Sequence, residues 1–129
     1  ATTQAHIVRA ALESIAFQVN DLLSAIALDL NTPIKTLKVD GGATENDLLM
    51  QSQANISNVK VVRPSNLETT AMGAAFFAGL YAGVWKDLNE LKEIWSVDAE
   101  FIPKDIEKWT SYKNMWARAV ERSKSWIVD

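Results

Sequence analysis

Apolar residues recur at spacings of four and three from Val8 through Leu12, Ile15, Val19, Leu22 and Ile26, laying one stripe along a helix of about seven turns. Ile7, Ala11 and Phe17 broaden the stripe, so this helix is expected to be well covered. Thr2 or Thr3 supplies its N-cap, and Asn31-Thr32-Pro33 ends it because proline cannot continue a helix. The period then shortens. Thr36 to Val39, apolar at Leu37 and Val39, reads as a strand that stops at Asp40-Gly41-Gly42. Thr44 stands three residues before Asp47, the spacing of a capping box, and opens a second helix from about Glu45 to Ile56. Leu48, Leu49, Ser52 and Ile56 are placed inward, with Gln51 and Gln53 on a partly exposed face. Val59 to Val62 is a second buried strand, bounded by Ser57-Asn58 and Arg63-Pro64. Strand, helix, strand without a hairpin signal implies a parallel pair joined by a right-handed crossover.

Ser65-Asn66-Leu67-Glu68 has capping-box spacing, with Ser65 as cap, and opens a third helix. Between Ala71 and Ala82 that helix carries Gly73 and Gly79 among alanines, Phe76, Phe77 and Leu80, which predicts a buried helix against which another backbone packs closely. The composition changes after Gly83: Trp85, Trp95, Trp109, Trp116 and Trp126 all follow it. Asp87 to Ile94 reads as a short helix and Ser96 to Pro103 as an extended connector. A last helix, Asp105 to Ile127, presents Trp109, Tyr112, Trp116, Ala119, Val120 and Ser123 on one face, a stripe that reads as core. This tail is expected to brace the α/β layer. The class is therefore α/β, two parallel strands with several helices. Parallel strands occur almost only in larger covered sheets, so the sheet is expected to be incomplete in this chain.

Composition narrows the function. The 129 residues are 48% apolar and 22% charged, as in a soluble globular protein. A net charge of −3 without a long run of either sign argues against nucleic-acid and acidic-membrane partners. Cysteine is absent, which excludes a disulfide framework and fits a cytoplasmic setting, and the single histidine, His6, makes no zinc site. The most apolar window, Ala71 to Trp85, falls short of the roughly twenty residues that span a bilayer. No basic segment leads into an apolar core as in a secretory leader, and the chain starts without methionine, which points to a piece of a longer polypeptide.

The candidate chemistry lies in the glycine turn. Bare backbone beside a new helix offers oriented N–H donors to a phosphate or ribose, although by spacing alone Gly41-Gly42 reads first as a tight βα connection. There is no third glycine for a dinucleotide fingerprint and no Gly-Lys-Ser/Thr for a phosphate loop. His6 and Arg9 read as a solvated or capping pair, and Asp40 as bonding the amides of its own turn. No catalytic residue and no metal ligand is assigned.

Val39-Asp40-Gly41-Gly42-Ala43, Asn46, Leu49-Met50-Gln51, Arg63-Pro64 and Glu68-Thr69-Thr70-Ala71-Met72-Gly73-Ala74-Ala75 closely resemble the C-terminal part of glycerol kinases, a branch of the FGGY carbohydrate kinases. The resemblance covers essentially the whole chain, from Thr2-Thr3 to the Trp-rich tail. It implies a partial ribonuclease H-like domain of the actin-like ATPases, with residues 1–84 as its adenine-side part and 85–129 as a helical brace. It implies ATP or ADP as ligand, at Gly41, Gly42 and Asn46, with Gly42 and Asn46 against the adenine and ribose. The general base, the carboxylate that holds Mg²⁺, both phosphate loops and the glycerol-binding residues fall upstream of this chain in that family. The resemblance further implies a cytoplasmic homo-oligomeric parent enzyme that is inactive in this piece alone. A sister kinase of another sugar or polyol, and a non-catalytic interaction module, are the alternatives.

Overall fold

In the computed structural model the described residues are 1–125, so Trp126 and the end predicted for the last helix at Ile127 lie outside them. Helix α1 spans Gln4–Leu30, β1 Thr36–Lys38, a 3-10 turn Gly42–Glu45, α2 Asp47–Ser57 and β2 Lys60–Pro64. Helix α3 follows at Thr69–Tyr81, then α4 Leu88–Ile94, β3 Val97–Phe101 and α5 Ile106–Ser123. β1 and β2 run parallel, Thr36 opposite Lys60 and Lys38 opposite Val62, as the crossover requires.

The sheet holds a third strand. Ser96 to Pro103, read from sequence as a connector, supplies β3, which pairs antiparallel with β2 in the order β1-β2-β3. Along β3, Ala99 and Phe101 are half-buried while Asp98 and Glu100 face solvent. Those two carboxylates pair across the ladder with cations of β2, Lys60 to Glu100 at 2.9 Å and Arg63 to Asp98 at 2.7 Å. An isolated acidic stretch reads as solvated loop; only the partners 35 and 40 residues upstream make it an edge strand.

The core lies between the sheet, α1, α2 and α5. Ala16, Phe17, Leu49, Met50, Ala54, Ile56, Val61 and Trp109 form it, with Leu12, Leu37, Val39, Phe101 and Trp116 packed at its margin. Each large apolar side chain fully buried here contributes about 1.5–3 kcal/mol. Helix α2 is the central element. Leu49, Ser52 and Ile56 are buried as its spacing predicts, but Leu48 is half exposed and Gln53, expected near the surface, is 4% exposed. Its amide donates to the carbonyl of Ala16 on α1, and Asn55 accepts from the Lys104 amide ahead of α5. Gln51 donates to the Ile102 carbonyl at 2.8 Å, so polar side chains of α2 tie both flanking segments.

Only the middle of α1 is covered. Among the described residues Ile7, Val8, Ile15, Leu22, Ile26, Leu28 and Leu30 remain exposed, which corrects the expectation of a well-covered stripe. Length explains it: at 1.5 Å per residue α1 extends about 40 Å and α2 about 16 Å. Helix α1, and not the window Ala71 to Trp85, is the segment long and apolar enough to cross a membrane by length and composition among the described residues. Its covered patch, Ala16 and Phe17, meets protein. At its start Thr3 caps as predicted, its amide donating to Nδ1 of His6, and Arg9 pairs with Glu13 at 2.6 Å. That hydrogen bond and the adjacent carboxylate raise the Arg9 pKa above its ordinary value.

The stripe predicted as core on α5 packs inward only in part, since Tyr112, Ala119 and Ser123 are exposed. Trp109 is buried, and the Trp116 ring stacks on Phe17 with centroids 5.3 Å apart while its Nε1–H donates to Asp21 at 2.8 Å. Helix α3, in contrast, is open: Ala71, Ala74, Ala75, Phe77, Ala78 and Tyr81 are exposed and only Gly79 is buried. Among the described residues no other helix or strand packs closely along it. The chain reverses at Gly83 (φ +75°) and lays the Trp85 indole over Gly79, where an added Cβ meets the ring at 2.0 Å. Gly79→Ala is therefore expected to expel the indole and lower stability by about 1–3 kcal/mol despite alanine's better helix propensity. A red-shifted Trp emission with a lower melting temperature checks this.

Candidate functional site

The parallel strands end together, and their carboxyl ends carry the glycine turn, the place where open α/β sheets bind ligands. Val39 extends the ladder with an amide bond to the Val62 carbonyl at 3.1 Å, and the backbone then turns at Gly41. Gly41 has φ +85° and ψ 161°, a region open essentially to glycine alone, and its amide donates to the Leu67 carbonyl at 3.0 Å. Its glycine is required by conformation.

Gly42 is different. Its φ is not positive, it is exposed, and a Cβ built on it meets nothing within 4 Å. Neither strain nor packing inside the described chain calls for a glycine there. What an absent side chain provides at such a position is room for something outside to touch the backbone.

The helix start departs from the predicted capping box. Thr44 is buried and its hydroxyl donates back to the Gly41 carbonyl at 2.7 Å, closing the 3-10 turn. The cap of α2 is Asn46, whose side-chain oxygen accepts from the Leu49 amide at 3.1 Å. An oxygen so engaged fixes the carboxamide while leaving its NH₂ to a further acceptor. The structure thus brings Gly41, Gly42 and Asn46 onto one ridge six residues long, on which Gly42 and Asn46 are exposed and Gly41 half-buried.

The neighbourhood holds three features that spacing did not reveal. Asp40 accepts from the Thr69 hydroxyl at the start of α3 rather than from its own turn, as expected from sequence. The predicted Ser65 cap is not formed either: Asn66 accepts from the Glu68 amide at 2.9 Å, and Glu68 occupies the cap position without a side-chain bond. Arg63 reaches from β2 under the turn. Its Nη1 donates to the Thr44 carbonyl at 2.7 Å and to Asp47 at 2.8 Å, while Nε donates to Asp98 of β3 at 2.7 Å. Hydrogen bonds to Asp98 and then Asp47 raise the Arg63 pKa above its ordinary value. These contacts join residues 16 to 35 apart, beyond any local signal.

Two clefts flank this end of the sheet. One, of about 250 Å³, is lined by Lys38, Val39, Asp40, Pro64, Thr69 and Trp95, with the Lys38 ammonium 4.0 Å from the centre of the Trp95 ring. The other, of about 240 Å³, is lined by Glu45, Arg63, Pro64, Ser65, Leu67 and Asp98. Among the described residues no three His, Cys, Asp or Glu side chains gather as metal ligands do.

Residues 1–82 match the model of the C-terminal domain of the FGGY family of carbohydrate kinases. The chain belongs to the FGGY carbohydrate kinases. Among its FGGY relatives, a glycerol kinase of Rhodopirellula baltica is 53% identical over 127 residues, which are 98% of this chain and 24% of that enzyme. One from Aeromonas hydrophila is 54% identical over 125 residues, 96% of this chain and 25% of that enzyme. A crystal structure of Plasmodium falciparum glycerol kinase with ADP superimposes with a TM-score of 0.85 at 36% identity, covering 98% of this chain and 26% of that one. The chain thus spans about a quarter of the length of the glycerol kinases it matches. The α/β class and the likeness to glycerol kinases read from the sequence both stand. The FGGY match ends at residue 82, while the similarity to glycerol kinases runs on through the Trp-rich helices.

Proposed function

We propose that this chain is the adenosine-binding, C-terminal part of an ATP-dependent glycerol kinase, with Gly41, Gly42 and Asn46 lying against the nucleotide. The observation that carries the reading is Gly42, an exposed glycine with no conformational or packing need of its own at the carboxyl end of a parallel strand. The ridge fits a nucleoside: bare backbone admits a flat base, and the Asn46 carboxamide, held by its cap bond, offers N–H groups to base or ribose. The ADP in the Plasmodium enzyme and the identity to glycerol kinases support the same ligand.

The chemistry asked of the whole protein is transfer of the γ-phosphoryl group to a glycerol hydroxyl, giving ADP and glycerol 3-phosphate. That transfer needs a base for the hydroxyl, a carboxylate-held Mg²⁺ and donors on the β- and γ-phosphates. This chain's part is binding and positioning: it holds the adenosine end so that the phosphates reach across a cleft to the rest of the polypeptide. Mg²⁺, when bound, neutralises charge on the phosphates, and no ligand for it is assigned here. The parent is read as a cytoplasmic homo-oligomer with residues 1–84 carrying the nucleotide side and 85–129 bracing it.

A coupled assay of the full-length protein with Mg-ATP tests the substrate. Glycerol is expected to exceed xylulose and gluconate in kcat/KM by at least about a hundredfold, as a site matched to its substrate's hydroxyl groups enforces. Equal or better turnover of either sugar reassigns the protein to another branch of the FGGY kinases.

A further inference from the structure

Resting on the nucleotide reading above, we infer that Arg63, pinned by Asp98 of β3, is a positioning residue that holds the Gly41–Asn46 ridge in its nucleotide-ready shape. The guanidinium is a planar fork, and here Nε and Nη1 join three elements. One nitrogen serves both the Thr44 carbonyl and the Asp47 carboxylate, and Nε, on the other edge, serves Asp98. The Arg63 side chain is only 12% exposed, although Asp47 and Asp98 are 73% and 49% exposed. The Phe101 ring lies 5.4 Å from the guanidinium carbon and limits where the fork can swing.

The Thr44 carbonyl is the part of this contact that bears on the ligand. Thr44 is the residue whose amide and hydroxyl both bond the Gly41 carbonyl, so a pull on Thr44 is transmitted to the ridge residue that only glycine fits. Asp47 begins α2 directly after Asn46, so the same nitrogen also fixes the helix end that Asn46 caps. Both ends of the ridge are therefore held by one largely buried side chain. Asp98 sets the direction of the fork, which gives β3 a role beyond closing an edge. A ridge held in advance binds without the cost of ordering it, so loosening it is read as weaker nucleotide binding.

The test uses Arg63→Lys and Asp98→Asn in the full-length enzyme, with Glu100→Gln as control. Lysine keeps the charge but cannot reach two directions at once, and asparagine keeps the shape of Asp98 without its charge. Glu100 makes the same kind of cross-strand pair, with Lys60, and touches no part of the ridge. The KM for Mg-ATP is expected to rise about five- to fifteenfold in both variants, the equivalent of losing one ordinary hydrogen bond's net contribution. The KM for glycerol and the kcat are expected to stay within about twofold, and Glu100→Gln to leave the nucleotide KM unchanged. A purely structural part for Arg63 predicts instead a lower melting temperature and less active enzyme with an unaltered nucleotide KM. That result, a parallel rise in both KM values, or an equal effect of Glu100→Gln each overturns the inference. If Gly42→Val weakens ADP binding while Arg63→Lys does not, the inference fails and the nucleotide reading stands; if neither changes it, the nucleotide reading itself has failed.

Discussion

Gly42→Val in the full-length enzyme is expected to weaken ADP and ATP binding by roughly ten- to hundredfold, with melting temperature almost unchanged. The separation of the two effects follows from the open space at this residue. A Cβ placed there meets nothing of its own chain within 4 Å, so a branched side chain starts out into open space. A substitution of that kind on a surface usually stays within about 0.5 kcal/mol of the parent. A ligand lying on the backbone, however, meets branched methyls where it needs contact, and overpacking of that sort costs about 1–3 kcal/mol. Calorimetric titration of ADP into the variant measures the change, and Gly42→Ala is expected to fall between valine and the parent. Unaltered affinity in the valine variant removes Gly42 from the site. Gly41 is not an equivalent probe, because at φ +85° any side chain strains the turn and confounds binding with folding.

Residues 1–129 expressed alone are expected to show no glycerol phosphorylation with Mg-ATP. The groups such a transfer demands are a hydroxyl-activating base, a carboxylate pair on Mg²⁺ and phosphate donors, which together supply barrier reductions of about 8 kcal/mol or more. Three carboxylates beside the ridge are otherwise engaged, Asp40 with Thr69, and Asp47 and Asp98 with Arg63. A coupled assay over a range of chain concentrations decides the matter. Turnover that scales with the purified chain places catalytic groups within it and ends the division of labour proposed here.

The departures from the sequence reading share a cause. The predicted capping pair Thr44 and Asp47 and the actual cap Asn46 lie within one turn; the Thr44 hydroxyl bonds the Gly41 carbonyl and Arg63 takes the Asp47 carboxylate, which leaves the cap to Asn46. Asp40 faced the same choice, between its own turn and a hydroxyl 29 residues away that only the fold delivers. Gly79 was read as a close-packing site, and it is one. Its partner is an indole brought back by the reversal at Gly83 instead of a second backbone. The long stripe on α1 was read correctly as apolar, but its cover depends on how much protein lies beside it, which periodicity does not encode.

The resemblance of the residues around the glycine turn carried the kinship with glycerol kinases, while local stereochemistry let the sequence alone determine the order of helix and parallel strand and the turn after Val39. That order and that turn depend on interactions within a few positions of each other, where side-chain period, proline and glycine dominate. The tertiary structure alone decided that 97–101 is a strand, that Asn46 caps α2, and that Gly42 is bare for no internal reason while Gly41 is bare by necessity. Each of those depends on a partner far along the chain, or on the empty space around an atom.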